Sequence, residues 1–258
     1  MKRSTMCLSA ALLVVLAGSA RAEGWGDLTA TFQYDGTAPI AKPLDVAKEP
    51  MCAPHKIVDE TWVVNKENGG VANVIVWLSL KTTDKKPAIH ADYKATETAT
   101  VQLDNNKCRF EPRVTVLRTT QTLEVLNSDP FGHNTNISTL DNAPQNPSMP
   151  AGAKLKVQPM KTEERLPVNI SCGIHPWMTA KLVVKSHPYV AVSDKDGKLT
   201  IKNLPEGTWT FQVWHEGIGN VQKPSQNGKP VEWAKGKVDV KIANGKPTDL
   251  GVIKFKAK

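Results

Sequence analysis

Three side chains able to bind a soft or borderline metal crowd into the stretch VNISCGIHPWMTAKLVV, Val168 to Val184: the thiol of Cys172, the imidazole of His175 and the thioether of Met178. Copper alternates between a cuprous form that prefers soft sulfur and a cupric form that prefers imidazole. A site tolerating both combines one thiolate, two His and a weak axial Met. The spacing Cys172-x2-His175-x2-Met178 supplies three of these four donors. The second imidazole must come from another part of the chain.

Of the six histidines, His133 is the candidate. It lies in LEVLNSDPFGHNTNI, where a strand ends at Asn127 and a loop containing Pro130 and Gly132 brings the chain back to the rim. The bland alternative makes Cys172 an inert buried thiol, Met178 core filler and His175 a surface residue.

These donors need a scaffold, and the sequence around them is that of an all-β protein. Short runs rich in Val, Ile and Thr recur from Asp27 onward, separated by Gly, Pro, Asn or Asp: LTATFQYDG, VANVIVWLSL, TVQLDN, RVTVL, QTLEVLN, AKLVVK, KLTIKN, TWTFQVWHE and LGVIKFKAK among them. KPAIHADYKATETA is the one stretch with room for a helical turn or two, and its Thr content argues for loop. In LPVNISC the residues Leu166, Val168 and Ile170 share parity with Cys172, so a period-two strand carries the thiol inward at its end. In TWTFQVWHE, the residues Trp209, Phe211, Val213 and His215 share one face, which predicts a second core and a buried strand-end His215.

Between about Val101 and Lys185 the chain resembles a cupredoxin, a type 1 blue copper protein. The segment CRFEPRVTVLRTTQTLEVLNSDPFGHN is similar to the family's approach to its first His ligand and the Asn after it. RLPVNISCGIHPWMTAKLVV is similar to the ligand strand, its loop and the closing strand, with the short amicyanin-like loop rather than the longer plastocyanin one. The resemblance implies a Greek-key β-sandwich and one copper ion held by His133, Cys172, His175 and Met178. It also implies that Asn134 ties the two ligand loops together, and that the protein carries single electrons to or from a redox protein, a cytochrome or a dehydrogenase. With every ligand position filled by protein, no place is left for substrate, which argues against an enzyme. Electrons are expected at the edge of His175, where Pro130, Phe131, Pro176 and Trp177 form an apolar docking patch. A copper delivery or storage protein, or a structural β protein with a vestigial site, is the alternative.

The N-terminus predicts export. Lys2 and Arg3 precede the apolar run LSAALLVVLAG and the Ala20-Arg21-Ala22 cleavage pattern, so residues 1–22 read as a signal peptide, too short in its apolar part for a membrane span. The mature chain is then expected in the periplasm or outside the cell. The signal carries three cations and no acid, so its removal takes the formal net charge from +8 to +5. The remaining lysines are scattered rather than clustered with aromatics, which disfavours nucleic-acid binding.

Of four cysteines, Cys7 leaves with the signal. If Cys172 serves a metal, Cys52 and Cys108 are free to form a disulfide in an oxidising compartment. The rival is a second metal site, since Cys52-x2-His55 has ligand spacing.

The chain divides into a signal (1–22), an N-terminal β region (23–98), the cupredoxin-like domain (99–186) and a C-terminal β-sandwich (187–258). The last resembles the carboxypeptidase regulatory-like, transthyretin-like family through VAVSDKDGKLTIKNLPEGTWTFQVWHE and VDVKIANGKPTDLGVIKF, which implies a structural or interaction module. SDKDGKLTI reads as a hairpin with an Asp-Gly turn. Residues 23–98 are either an extension of the copper domain or the first part of a sandwich into which that domain is inserted.

Overall fold

The computed structural model describes residues 24–47, 49–81 and 84–257. The expected signal peptide lies outside the described residues. The described chain is all-β, with two sandwiches packed side by side.

One sandwich is built from both ends of the chain. Its first sheet runs in the order Lys198–Pro205, Trp25–Tyr34, Thr248–Phe255, Ser225–Gln226, Lys229–Pro230. Its second runs Val190–Val192, Ile75–Leu78, Gly207–His215, Gly219–Asn220, with Lys237–Ile242 also paired to Gly207–His215. The strands Trp25–Tyr34 and Thr248–Phe255 are parallel neighbours. Alternation gives strands such as Trp25–Tyr34 one apolar face, and Leu28, Phe32, Val76, Leu78, Phe211, Val213 and Ile253 meet in a single core.

The other sandwich is built from the middle of the chain. One sheet has the order Lys154–Lys156, Thr122–Asn127, Thr100–Asn106, Arg109–Glu111, and the other Val114–Arg118, Thr179–Lys185, Val168–Ser171, Asn136–Ile137. Between them Leu103, Leu123, Val125, Ile170, Leu182 and Val184 form a core that includes Cys172 and Met178 at one end.

The strand Ile75–Leu78 is buried on both faces. Val76 and Leu78 point into their own sandwich, whereas Ile75 and Trp77 pack against Val114 and Val183 of the other. Burying side chains of this size contributes roughly 1.5–3 kcal/mol each. Polar contacts reinforce the seam: Arg113 donates twice to Glu216, Nε to Oε1 and Nη2 to Oε2, both at 2.9 Å. The Lys185 ammonium lies 5.1 Å from the Trp77 ring centroid.

Three expectations change. Leu166 shares the parity of the ligand strand but is 52% exposed, because pairing begins only at Val168. The Asp-Gly turn forms, with Gly197 at φ +76° and its N–H bonded to Asp194 O, but it is not a hairpin. The strands it joins, Val190–Val192 and Lys198–Pro205, lie in different sheets, so the turn is an arch between layers. A Cβ at Gly197 would lie 2.0 Å from Phe32 O, so only glycine fits there. Finally, the stretch around KPAIHADYKATETA holds a 3-10 helix, Ala91–Thr96, capped by the His90 side chain, which accepts from the Asp92 N–H.

Candidate metal centre

The donors reach the centre from two separate segments of the chain. The strand Val168–Ser171 buries Val168 and Ile170 and delivers Cys172, also buried, at its end. The loop then folds back on itself: Met178 N–H bonds to His175 O at 2.9 Å and Cys172 N–H to Met178 O at 3.1 Å. His133 comes from the other side, on the short strand His133–Asn134, which pairs with Ser148–Met149.

The three side chains converge. Cys172 Sγ stands 3.9 Å from His133 Nδ1 and 3.7 Å from His175 Nδ1, and the two Nδ1 atoms are 2.9 Å apart. Among the described residues this is the cluster of His, Cys, Asp or Glu that could hold a metal ion. Met178 is buried in the same core as Cys172.

The environment favours the thiolate. Burial pushes the Cys172 thiol up, but hydrogen bonds with the His133 imidazole, the backbone at Asn134 and His175, and the His175 imidazole outweigh it. The pKa falls from the ordinary 9.0 to about 6. Burial alone would lower the His133 pKa, yet its hydrogen bonds to Cys172 and Asp129 raise it.

The donor set fits copper. A thiolate and two imidazoles, with Met178 buried in the same core, are donor types that suit both oxidation states of copper. Bonds of about 2.0 Å to nitrogen and 2.3 Å to sulfur, meeting near 120°, set nitrogen and sulfur about 3.7 Å apart, close to the 3.7 and 3.9 Å from Cys172 Sγ to the two imidazoles. The short contact between the two Nδ1 atoms needs one proton, which an ion would displace.

Asn134 bridges the two loops. Its Oδ1 accepts the Gly173 N–H at 2.8 Å and lies 3.3 Å from Cys172 Sγ, while its Nδ2 donates to Asn146 Oδ1 at 2.6 Å.

The surroundings of His175 differ from the sequence expectation. His175 is 2% exposed, so the bare ring edge is absent. Described residues on both sides of Lys48 close in around it: Leu44, Val46, Ile57 and the Cys52–Cys108 pair pack with Phe131 and Trp177, whose rings lie against that of His175. Phe131 and Trp177 are half-buried in this cluster, and Pro130 and Pro176 stay exposed. The Trp177 ring centroid is 5.3 Å from that of His175, and a carboxylate oxygen of Glu49 stands 3.7 Å from His175 Nε2.

The covering segment is stapled in place. Cys52 and Cys108, 56 positions apart, form a disulfide, so Cys52 is no metal ligand, and His55 is exposed. The sequence spacing of Cys52 and Cys108 gave no sign that their bridge lies over the metal loops.

One residue escaped the sequence reading. The buried Asp129 places Oδ2 2.9 Å from His133 Nε2. Its position four residues before a candidate ligand was the available signal, since metal-bound imidazoles commonly donate their second N–H to a carboxylate.

No protein-family model matches the chain, and no curated protein matches it. Three solved structures illustrate what the chain is similar to. A copper-containing nitrite reductase from Thermus scotoductus SA-01 aligns at 18% identity over 42% of this chain and 25% of that one, with a TM-score of 0.29. The chain therefore spans about a quarter of the reductase. A purple cupredoxin from Nitrosopumilus maritimus aligns at 18% identity over 34% of this chain and 99% of its own, TM-score 0.28. A mutant amicyanin in its reduced state aligns at 18% identity over 43% and 98%, TM-score 0.29. Likenesses this weak assign no role to any residue, and the chemistry stands on the site itself.

Proposed function

We propose that this chain is an exported type 1 copper protein that carries single electrons between redox proteins. The observation that carries the reading is the buried convergence of Cys172 Sγ with two imidazole Nδ1 atoms at 3.7 and 3.9 Å. His133, Cys172 and His175 would hold the ion, with Met178 as the weak fourth donor. Copper bound there would supply a one-electron couple. The chain's own part is to keep the donors fixed. The two-sheet core behind Cys172, the hydrogen-bonded turn from His175 to Met178 and the Asn134 bridge leave little room for rearrangement on reduction. With four protein donors and no open position, an electron carrier is favoured over an enzyme.

A copper-delivery role is disfavoured by the cover over His175, since handing on an ion would require the disulfide-held segment to move aside. The exposed Pro176 and the half-buried Trp177 are the part of the expected docking patch left for a partner such as a cytochrome or dehydrogenase. We read the copper module as an insertion into a sandwich formed by the two ends of the chain, that sandwich being a transthyretin-like structural or interaction module. The disulfide accords with a periplasmic or secreted setting. Among the described residues no helix is long and apolar enough to cross a membrane.

Titrating the purified apoprotein with cupric ion tests the reading. An intense visible copper–thiolate band at one equivalent, bleached by reductant and restored by oxidant, is expected. No band sinks electron transfer, and a tight but colourless cuprous complex supports delivery instead.

A further inference from the structure

Both outer nitrogens of the imidazole pair face a carboxylate, and one of those carboxylates is built in. Asp129 is 5% exposed, and its Oδ2 lies 2.9 Å from His133 Nε2. The same carboxylate accepts two consecutive backbone N–H groups, Lys107 to Oδ1 at 2.6 Å and Cys108 to Oδ2 at 2.9 Å. Those amides point the same way because Lys107 and Cys108 both sit in the left-handed region, at φ 52° and 58°. Neither is glycine, so the turn is strained and must be held by its surroundings. The holding element is the disulfide from Cys108 to Cys52. The Asp129 N–H donates in turn to Asn127 Oδ1 at 3.1 Å.

We propose that Asp129 is a positioning residue that sets the reduction potential of the copper centre through His133. The inference rests on the copper reading above. A carboxylate opposite Nε2 requires the proton on that nitrogen, which leaves the Nδ1 lone pair facing Cys172 and His175. A carboxylate sharing the Nε2 proton raises the basicity of the ring, and a buried negative charge at this distance favours the more positive metal state. Asp129 therefore strengthens cupric binding more than cuprous binding and lowers the potential. The disulfide-held turn fixes the carboxylate, so a link distant in sequence reaches the metal through two hydrogen bonds.

The test compares the wild-type protein with Asp129→Asn by redox titration of the visible band and by competition for cuprous and cupric ion. The variant is expected to keep the band and to bind cupric ion about tenfold more weakly relative to cuprous ion. That ratio corresponds to a potential about 59 mV higher for a one-electron couple. A retained band with unchanged potential overturns the role of Asp129 alone. A wild-type protein without the band overturns the copper reading and this role with it. If the variant does not fold, long-range proton–nitrogen NMR of the wild-type cuprous protein decides. A downfield His133 Nε2 proton protected from solvent exchange supports the proposal, and an unprotonated or freely exchanging Nε2 refutes it.

Discussion

The side-chain oxygen of Asn134 accepts the Gly173 N–H at 2.8 Å, across 39 residues of sequence, so a single carboxamide joins the loop carrying His133 to the loop carrying Cys172. Without it the two loops are held mainly by core packing behind them. Asn134→Ala is expected to weaken copper binding about 10- to 100-fold, the range for a lost partner of a metal ligand, while leaving far-ultraviolet dichroism unchanged. Equal affinity in the variant, measured by competition with a chelator, would show that the bridge is ornamental.

The disulfide holds the cover over His175. Replacing Cys52 and Cys108 together by Ser removes a link that constrains the unfolded chain. For a loop of this length the loss is about 4 kcal/mol by chain entropy. We also expect His175 to become reactive toward an imidazole-modifying reagent at the rate of an exposed histidine. A His175 as protected as in the parent would mean that the segment Leu44 to Ile57 stays put without its staple.

The bidentate pair of Arg113 and Glu216 is partly withdrawn from water, with side-chain exposures of 14% and 7%. Glu216 also faces the Lys181 ammonium at 4.0 Å. Removing it leaves Lys181 without a carboxylate partner and Arg113 with only the longer 4.0 Å contact to Glu60, so Glu216→Ala should cost about 3 kcal/mol in urea unfolding. A double-mutant cycle with Arg113→Ala isolates the pair. A coupling well below 1 kcal/mol would place it with ordinary surface pairs.

Acid should weaken the fold through two buried histidines. His187 donates from Nε2 to Leu78 O at 3.0 Å, and His215 lies against Trp62 with ring centroids 4.3 Å apart. Burial lowers both from the ordinary 6.5 to about 4. The unfolded chain takes up these protons first, so stability is complete above about pH 6.5 and is lost as pH falls toward 4. The limit is about 3 kcal/mol per histidine, from 1.36 kcal/mol per pKa unit. Thermal melting across this window should show the decline, and the double variant His187→Gln, His215→Gln should flatten it. An unchanged slope would assign the acid sensitivity to other groups.

Local chemistry was written plainly in the sequence. Period-two alternation carried Val168, Ile170 and Cys172 to one buried face, and the same rule buried Phe211, Val213 and His215. The convergence of His133, Cys172 and His175 was expected from the Cys-x2-His spacing, the loop position of His133 and the family resemblance. Hidden features depend on contacts remote in sequence. Ile75–Leu78 reads as an unbroken apolar run because it has a sandwich on each side, and nothing in IVWL says which side belongs to which core. Strands of two residues, such as His133–Asn134, are too short for any periodicity. The burial of His175 depends on a segment more than 110 positions upstream, which has almost no strand signal of its own.

The parallel pairing of Trp25–Tyr34 with Thr248–Phe255 bears on how the molecule would respond to tension. Force applied outward from the start of the first strand and the end of the last loads their ladder in shear, with the hydrogen bonds resisting together rather than one after another. The module that carries His133, Cys172 and His175 lies between these strands along the chain but outside the line of load. It would feel no pull until that ladder parts, so the metal site is mechanically shielded by the two strands farthest from it in sequence.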